Sequence, residues 1–231
     1  ISGTYTVTAG GAVTDSGTQE ITGVTTISAS GQNVTLDTST NNFAAAVGIT
    51  GANVAVTDED AIDLGASTVS GTYTVTAGGA VTDSGTQEIT GATTISASGQ
   101  DVTLNTSTNN FAAAVGITGA NVAVTDEDAI DLGASTVSGT YAITAGGAVT
   151  DSGTQEITGA NVAVTDEDAI DLGASTVSGT YAITAGGAVT DSGTQEITGV
   201  TTISASGQNV TLDESNSNFA AAVGITGANV A

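Results

Sequence analysis

Residues 4–71 return almost letter for letter as 72–139, and the copy that begins at Thr140 loses its middle block without losing its place. Val69-Ser70-Gly71-Thr72-Tyr73 recurs as Val137-Ser138-Gly139-Thr140-Tyr141, then sooner than the period allows as Val177-Ser178-Gly179-Thr180-Tyr181. A globular core depends on contacts that cross the whole domain, so it does not survive random loss of an interior stretch. A stack of self-similar layers touches only its neighbours and does survive, provided the lost piece is a whole layer. The chain therefore reads as a solenoid.

Each repeat divides after a recurrent tripeptide: Ile21-Thr22-Gly23, Ile49-Thr50-Gly51 and Val69-Ser70-Gly71. The cuts give three blocks whose lengths run 20, 28, 20: A (4–23), B (24–51) and C (52–71). The second copy, 72–139, is complete; the third, 140–179, passes directly from A to C between Gly159 and Ala160; the fourth, 180–231, is incomplete. With one block per rung, this gives ten complete rungs, a single continuous solenoid over 1–231, and a rod on the order of 50 Å long. The chain opens and closes inside a C block, so it is expected to be a piece of a longer array.

Within a block the apolar positions alternate. Tyr5 and Val7 alternate with Thr4, Thr6 and Thr8; Val34 and Leu36 flank Thr35; Val54 and Val56 precede the turn Asp58-Glu59-Asp60. Period two places one set of side chains in a core and the other in solvent, and Gly-rich punctuation turns the chain between short strands. The expected fold is all-β: a parallel β-helix (β-solenoid) with about three short strands per rung. Tyr5, Tyr73, Tyr141 and Tyr181 are expected to recur at one site in its core. The extra length of B falls around Thr38–Phe43, where a protruding ridge anchored by Phe43 is expected. A sandwich would not tolerate the lost block, and propeller blades run to about 40 residues or more with aromatic signatures this chain lacks.

Composition narrows function. With 24 acidic residues, no Lys, Arg or His and a net charge of −24, no side chain can neutralise a nucleic-acid phosphate or an anionic lipid headgroup. No run of about 20 apolar residues is present to span a bilayer. The absence of Cys excludes disulfides and thiol chemistry. These features exclude nucleic acid and membrane insertion as partners.

The acidic turn is the main candidate site. Asp58, Glu59, Asp60 and Asp63 recur as Asp126, Glu127, Asp128 and Asp131, and as Asp166, Glu167, Asp168 and Asp171. Such a cluster of four carboxylates supplies the oxygen ligands that Ca²⁺ takes. The spacing is not that of an EF-hand, and the same residues equally make a solvated turn that keeps a rod soluble. No other cofactor is implied. The pair Asp15 and Glu20 suggests glycoside hydrolysis. It is tiled, however, as Asp83 and Glu88, Asp151 and Glu156, and Asp191 and Glu196, whereas a catalytic centre is a single constellation. No catalytic residue is assigned. Asn33, Asn105 and Asn209 fit the glycosylation sequon by chance in so Thr-rich a chain.

The run ITGANVAVTDEDAIDLGASTVSGTYTVTAGGAVTDSGT resembles the tandem repeats of giant secreted bacterial surface proteins of the filamentous haemagglutinin and adhesin type. The resemblance covers essentially the whole chain and lies in the repeat style. It implies a right-handed parallel β-helix, secretion to the extracellular space or cell surface, and a fibrous role. Two functions are implied: the non-catalytic repeat region of a surface fibre or matrix filament, or an adhesin rod that presents a binding surface to cells or substrates. The expected partners are neighbouring repeats, end to end or laterally, and a cell-surface ligand under the adhesive reading. The scarcity of aromatic residues, 3% of the chain, favours the structural role.

Overall fold

The computed structural model describes residues 1–153, 155–157 and 161–231, with Glu156 and Ile157 described by backbone only. The expected block boundary between Gly159 and Ala160 lies outside the described residues. The chain is a parallel β-solenoid of about 11 turns with rungs of roughly 20 residues. Among the described residues there are 34 short strands and no helix. Three strands make a turn, and a strand typically hydrogen-bonds in parallel to the third strand after it. Tyr73–Ala77, for example, sits between Val54–Asp58 and Thr93–Ser96, with Tyr73 level with Val54 below and Thr93 above. Strands this short suit the geometry, because each side of the rung is only one strand long.

Alternation delivers the core. In Val54–Asp58 and Tyr73–Ala77, every second side chain is buried, and the intervening Ala and Thr side chains face outward. Inward residues stack on like residues of the next rung, as in Val56, Val75, Ile95 and Ile117 or Val124, Ile143, Val164 and Ile183. Each fully buried aliphatic side chain contributes about 1.5–3 kcal/mol of burial energy. The narrow core therefore rests on many equal steps.

The blocks wind differently. A and C each provide three strands, one complete turn. B provides four: Thr25–Ser28, Val34–Leu36, Asn42–Phe43 and Val47–Gly51. The expected ridge at Thr38–Phe43 is thus corrected. Phe43 is buried, and Asn42–Phe43 is a strand paired with Glu20–Ile21 of the rung below. Only the turn ahead of it reaches solvent, closed by the Asn41 N–H donating to the Thr38 carbonyl at 3.0 Å. The fourth strand starts the next turn, so a complete repeat of ten strands makes three turns and one further face. The tyrosines show the consequence and correct the expectation of a single tyrosine site. Tyr73 lies on a different face from Tyr5, and Tyr141 lies in the sheet that Tyr5 began, reached through the doubly covered strand Val47–Gly51. Tyr181 belongs to a copy reached without B and stays on the face of Tyr141, two rungs on, with Val162 between them.

At each passage from B to C the faces are redistributed. Val47–Gly51 is covered by two strands, with Val47 level with Leu64 and Gly51 level with Val69. One extra residue is taken up between them, as in a bulge. The Ser67 hydroxyl fills the broken ladder. It accepts from the Ile49 N–H at 3.1 Å and donates to the Gly65 carbonyl at 3.1 Å. Ser135 repeats the first bond with Ile117. A Cβ on Gly48 would lie 2.7 Å from the Ala66 carbonyl oxygen, so this crossing requires glycine. The turn inside B, expected at Ser30–Asn33, places Gly31 at a φ of +70°, with Gly99 and Gly207 its equivalents at 75° and 80°.

Candidate functional site at the block boundaries

The carboxylates of the acidic turn do not face the same way. Asp58 is buried at the end of its strand, while Glu59 and Asp60 are exposed and Asp63 points outward from Ile62–Leu64. The inward turn of Asp58 is set by alternation, since Val54 and Val56 precede it on the same side. Its Oδ2 accepts the Phe43 N–H at 2.8 Å and its Oδ1 the Asp60 N–H at 2.9 Å. No strand succeeds Asn42–Phe43 on its face, so the Asp58 carboxylate replaces the missing carbonyl acceptor, and the Glu59 N–H donates to the Asn41 carbonyl at 2.7 Å. Asp126 does the same for Phe111 at 2.8 Å. Asp166, whose C block comes directly after A, accepts instead from Val149 N–H at 2.7 Å and Asp168 N–H at 2.8 Å. Burial raises the pKa of all three above the ordinary aspartate value, and the backbone donors oppose the shift.

Nearby carboxylates hold different partners. Asp60 accepts from Asn42 Nδ2 at 3.3 Å and Asp128 from Asn110 Nδ2 at 3.2 Å; Asp131 binds the Ser152 N–H and hydroxyl at 2.9 and 2.7 Å; Asp171 accepts from the Thr190 hydroxyl at 3.2 Å. Glu127 is exposed in its turn, as are Glu167 and Asp168 in theirs. Among the described residues, no three acidic side chains converge closely enough to hold a metal ion.

A second set of aspartates sits at the end of the second strand of A. Asp15 Oδ2 accepts from Asn41 Nδ2 at 2.6 Å, and Asn41 Oδ1 takes the Gln19 N–H at 2.8 Å. In the second copy, Asp83 accepts from Asn109 Nδ2 at 2.6 Å and from the Asn105 and Thr106 N–H groups at 2.9 and 3.2 Å. Asn41 and Asn109 are buried and belong to B. Their role was hidden in a segment that looked like a loop. The available signal was the constant interval of 26 from Asp15 to Asn41 and from Asp83 to Asn109, absent where B is absent. In the fourth copy, Ser217 stands in place of Asn41. It still accepts the Gln195 N–H at 3.0 Å, but it has no amide to offer Asp191, whose Oδ2 is buried without a partner.

The third copy lacks the B block altogether. Asp151 Oδ1 accepts from the Gly153 N–H at 3.0 Å and Gln155 Nε2 at 3.1 Å. Burial pushes its carboxyl up to about 6, aided by Asp131 and Asp171 on the adjoining rungs. Beside it lies a small cavity of about 20 Å³, lined by Leu132, Tyr141, Val149, Gln155 and Tyr181 among others, with room for one water. The Asp15 and Asp83 carboxylates are held by backbone and amide donors, and Glu20 and Glu88 point outward from their strands. Chemically this is a set of acceptors that closes backbone ladders, with one proton-binding group at the B-less boundary.

The chain matches the family described as repeats of unknown function (DUF5649) over residues 1–50, 51–118, 119–161 and 159–226. The third match is the shortest, where the B block is missing. No curated protein and no solved structure matches the chain. A tandem β-solenoid of this kind is typical of structural proteins. With nearly its whole length covered by four successive matches, the chain belongs to the DUF5649 repeat family.

Proposed function

We propose that this chain is a non-catalytic structural rod, the repeat region of an extracellular bacterial surface fibre or matrix filament. The observation that carries the reading is continuity. The ladder of Tyr141–Ala145, Val162–Asp166 and Tyr181–Ala185 runs unbroken past the point where a B block is missing, so length is adjustable without loss of order. A unique site would not tolerate such editing. Its polar chemistry supports the same reading, because the buried carboxylates are committed to backbone and amide donors, and there is no His, Lys, Arg or Cys to assist them.

With a net charge of −24, rods repel at low ionic strength. Lateral or end-to-end association should therefore strengthen with salt, mild acid or divalent cations. Electron microscopy with sedimentation across these conditions tests the reading. Uniform filaments that lengthen or bundle are expected. Monomers under every condition would overturn it, and monomers that bind cells would favour an adhesive rod instead.

A further inference from the structure

We infer that the B block is a phase-setting module: each copy moves everything after it onto another face of the rod. The inference does not depend on where the rod works. A and C contribute three strands each and return the chain to the face where it began. B contributes four and advances it by one. Tyr73 stands in a different sheet from Tyr5 and from Tyr141, each a full repeat away, whereas Tyr141 and Tyr181, separated only by A and C, share one face. A rod of complete repeats thus changes face at every repeat, about 16 Å along the axis at a rung spacing of about 4.8 Å. Any feature of the repeat appears on a different face in the next copy. A run without B presents the same feature in one direction only.

The acidic turns show what this does to the surface. The turn at Glu59 and Asp60 comes after a strand on the face of Tyr73. The turns at Glu127 and Asp128 and at Glu167 and Asp168 both come after strands on the face of Tyr141. Omission of B therefore stacks two acidic turns on one edge, two rungs or about 10 Å apart, a separation comparable with the screening length at physiological salt. With B present, the second turn moves to another edge and further along the axis. The B block spreads like charges around the rod, and its omission concentrates them along one side. The number of B blocks between two points fixes which way their surfaces face relative to one another.

Because the chain has no Cys, paired nitroxide labels on engineered cysteines read this directly. Thr76, Thr136, Thr144 and Thr184 are all exposed on outward strand positions. The pair Thr144→Cys and Thr184→Cys should show strong dipolar broadening from two rungs on one face, about 10 Å apart. The pair Thr76→Cys and Thr136→Cys, three rungs apart on one face, calibrates a spacing of about 14 Å. The pair Thr76→Cys and Thr144→Cys should lie beyond about 20 Å, on adjacent faces and more than three rungs apart. If that pair instead matches the calibration pair, B winds as one rung with a bulge and the inference fails. A variant with residues 92–119 duplicated after Gly159 should move the Thr144 and Thr184 labels from about 10 Å to beyond about 20 Å. Unchanged broadening in a folded variant would also overturn the inference. Should the insertion not fold, the three pairs in the native arrangement still decide.

Discussion

The boundary after Gly91 and the boundary after Gly159 close the same A block and differ in the block that comes next. After Asp83 comes a B block, which delivers Asn109 and two backbone N–H groups to its carboxylate. After Asp151 comes a C block, and the carboxylate is left with Gly153, Gln155 and a water-sized cavity. Parallel strand pairing spans both boundaries. Backbone ladders and apolar columns are thus interchangeable between blocks, while buried polar partners are matched block to block. Loss of a block is tolerated by the first and recorded as a defect in the second.

The largest expected difference between the two boundaries concerns Phe111, a residue that only B supplies. It is fully buried at the end of a short strand and its N–H is held by Asp126. Phe111→Ala should cost about 3–5 kcal/mol, as large-to-small changes in tight cores do. In a solenoid, stability is a sum over neighbouring layers, so the loss should be local. Hydrogen exchange should accelerate in the rungs around residues 89–130 and leave those beyond residue 181 protected. Uniform acceleration along the rod would show instead that the layers unfold as one unit.

Next in size is Asp83→Asn. Asp83 accepts three N–H groups, and an amide in its place turns one acceptor into a donor facing Asn109 Nδ2 and the Thr106 N–H. The expected cost is about 1–3 kcal/mol. It should be read from exchange at residues 102–111. A neutral or stabilising effect would mean that the Asn109 amide turns over readily and that matching between blocks is weak.

Sequence and structure agree on whatever depends on local pattern and part ways where long-range pairing decides. Alternation at Val34 and Leu36 or Val54 and Val56 places the core correctly, because a strand's two sides are fixed by chain geometry alone. The turn at Gly31 is equally legible, since few other residues suit its positive φ. The four-strand winding of B was not legible. Block length suggests one long layer, and Asn42–Phe43 is too short to show alternation. Its identity as a strand comes only from pairing with Glu20–Ile21, which lies a whole turn away. The division of roles within the acidic turn was hidden for a related reason. Four carboxylates look alike in sequence, and only the orphaned N–H of Phe43, well before the turn, distinguishes Asp58 as a backbone acceptor.

The smallest effect, opposite in sign, is expected at Asp151. Its folded pKa is raised from 3.8 to about 6 by burial and by Asp131 and Asp171. The folded state therefore binds more protons than the unfolded chain between these values, and this group's contribution to stability falls as pH rises through that window. At neutral pH the charged carboxylate is a liability. Asp151→Asn keeps an Oδ1 acceptor for Gly153 and Gln155 and removes the charge that burial and the carboxylates of Asp131 and Asp171 disfavour. After allowance for partial solvent screening, the substitution should stabilise the boundary by about 1 kcal/mol at pH 7 and have little effect near pH 4. Thermal unfolding of the two proteins across this range is the measurement. The curves should converge on acidification, with the wild type gaining more. If Asp151→Asn destabilises at pH 7 as Asp83→Asn does, then Asp151 has satisfying partners after all, and the two boundaries are equivalent despite the missing block.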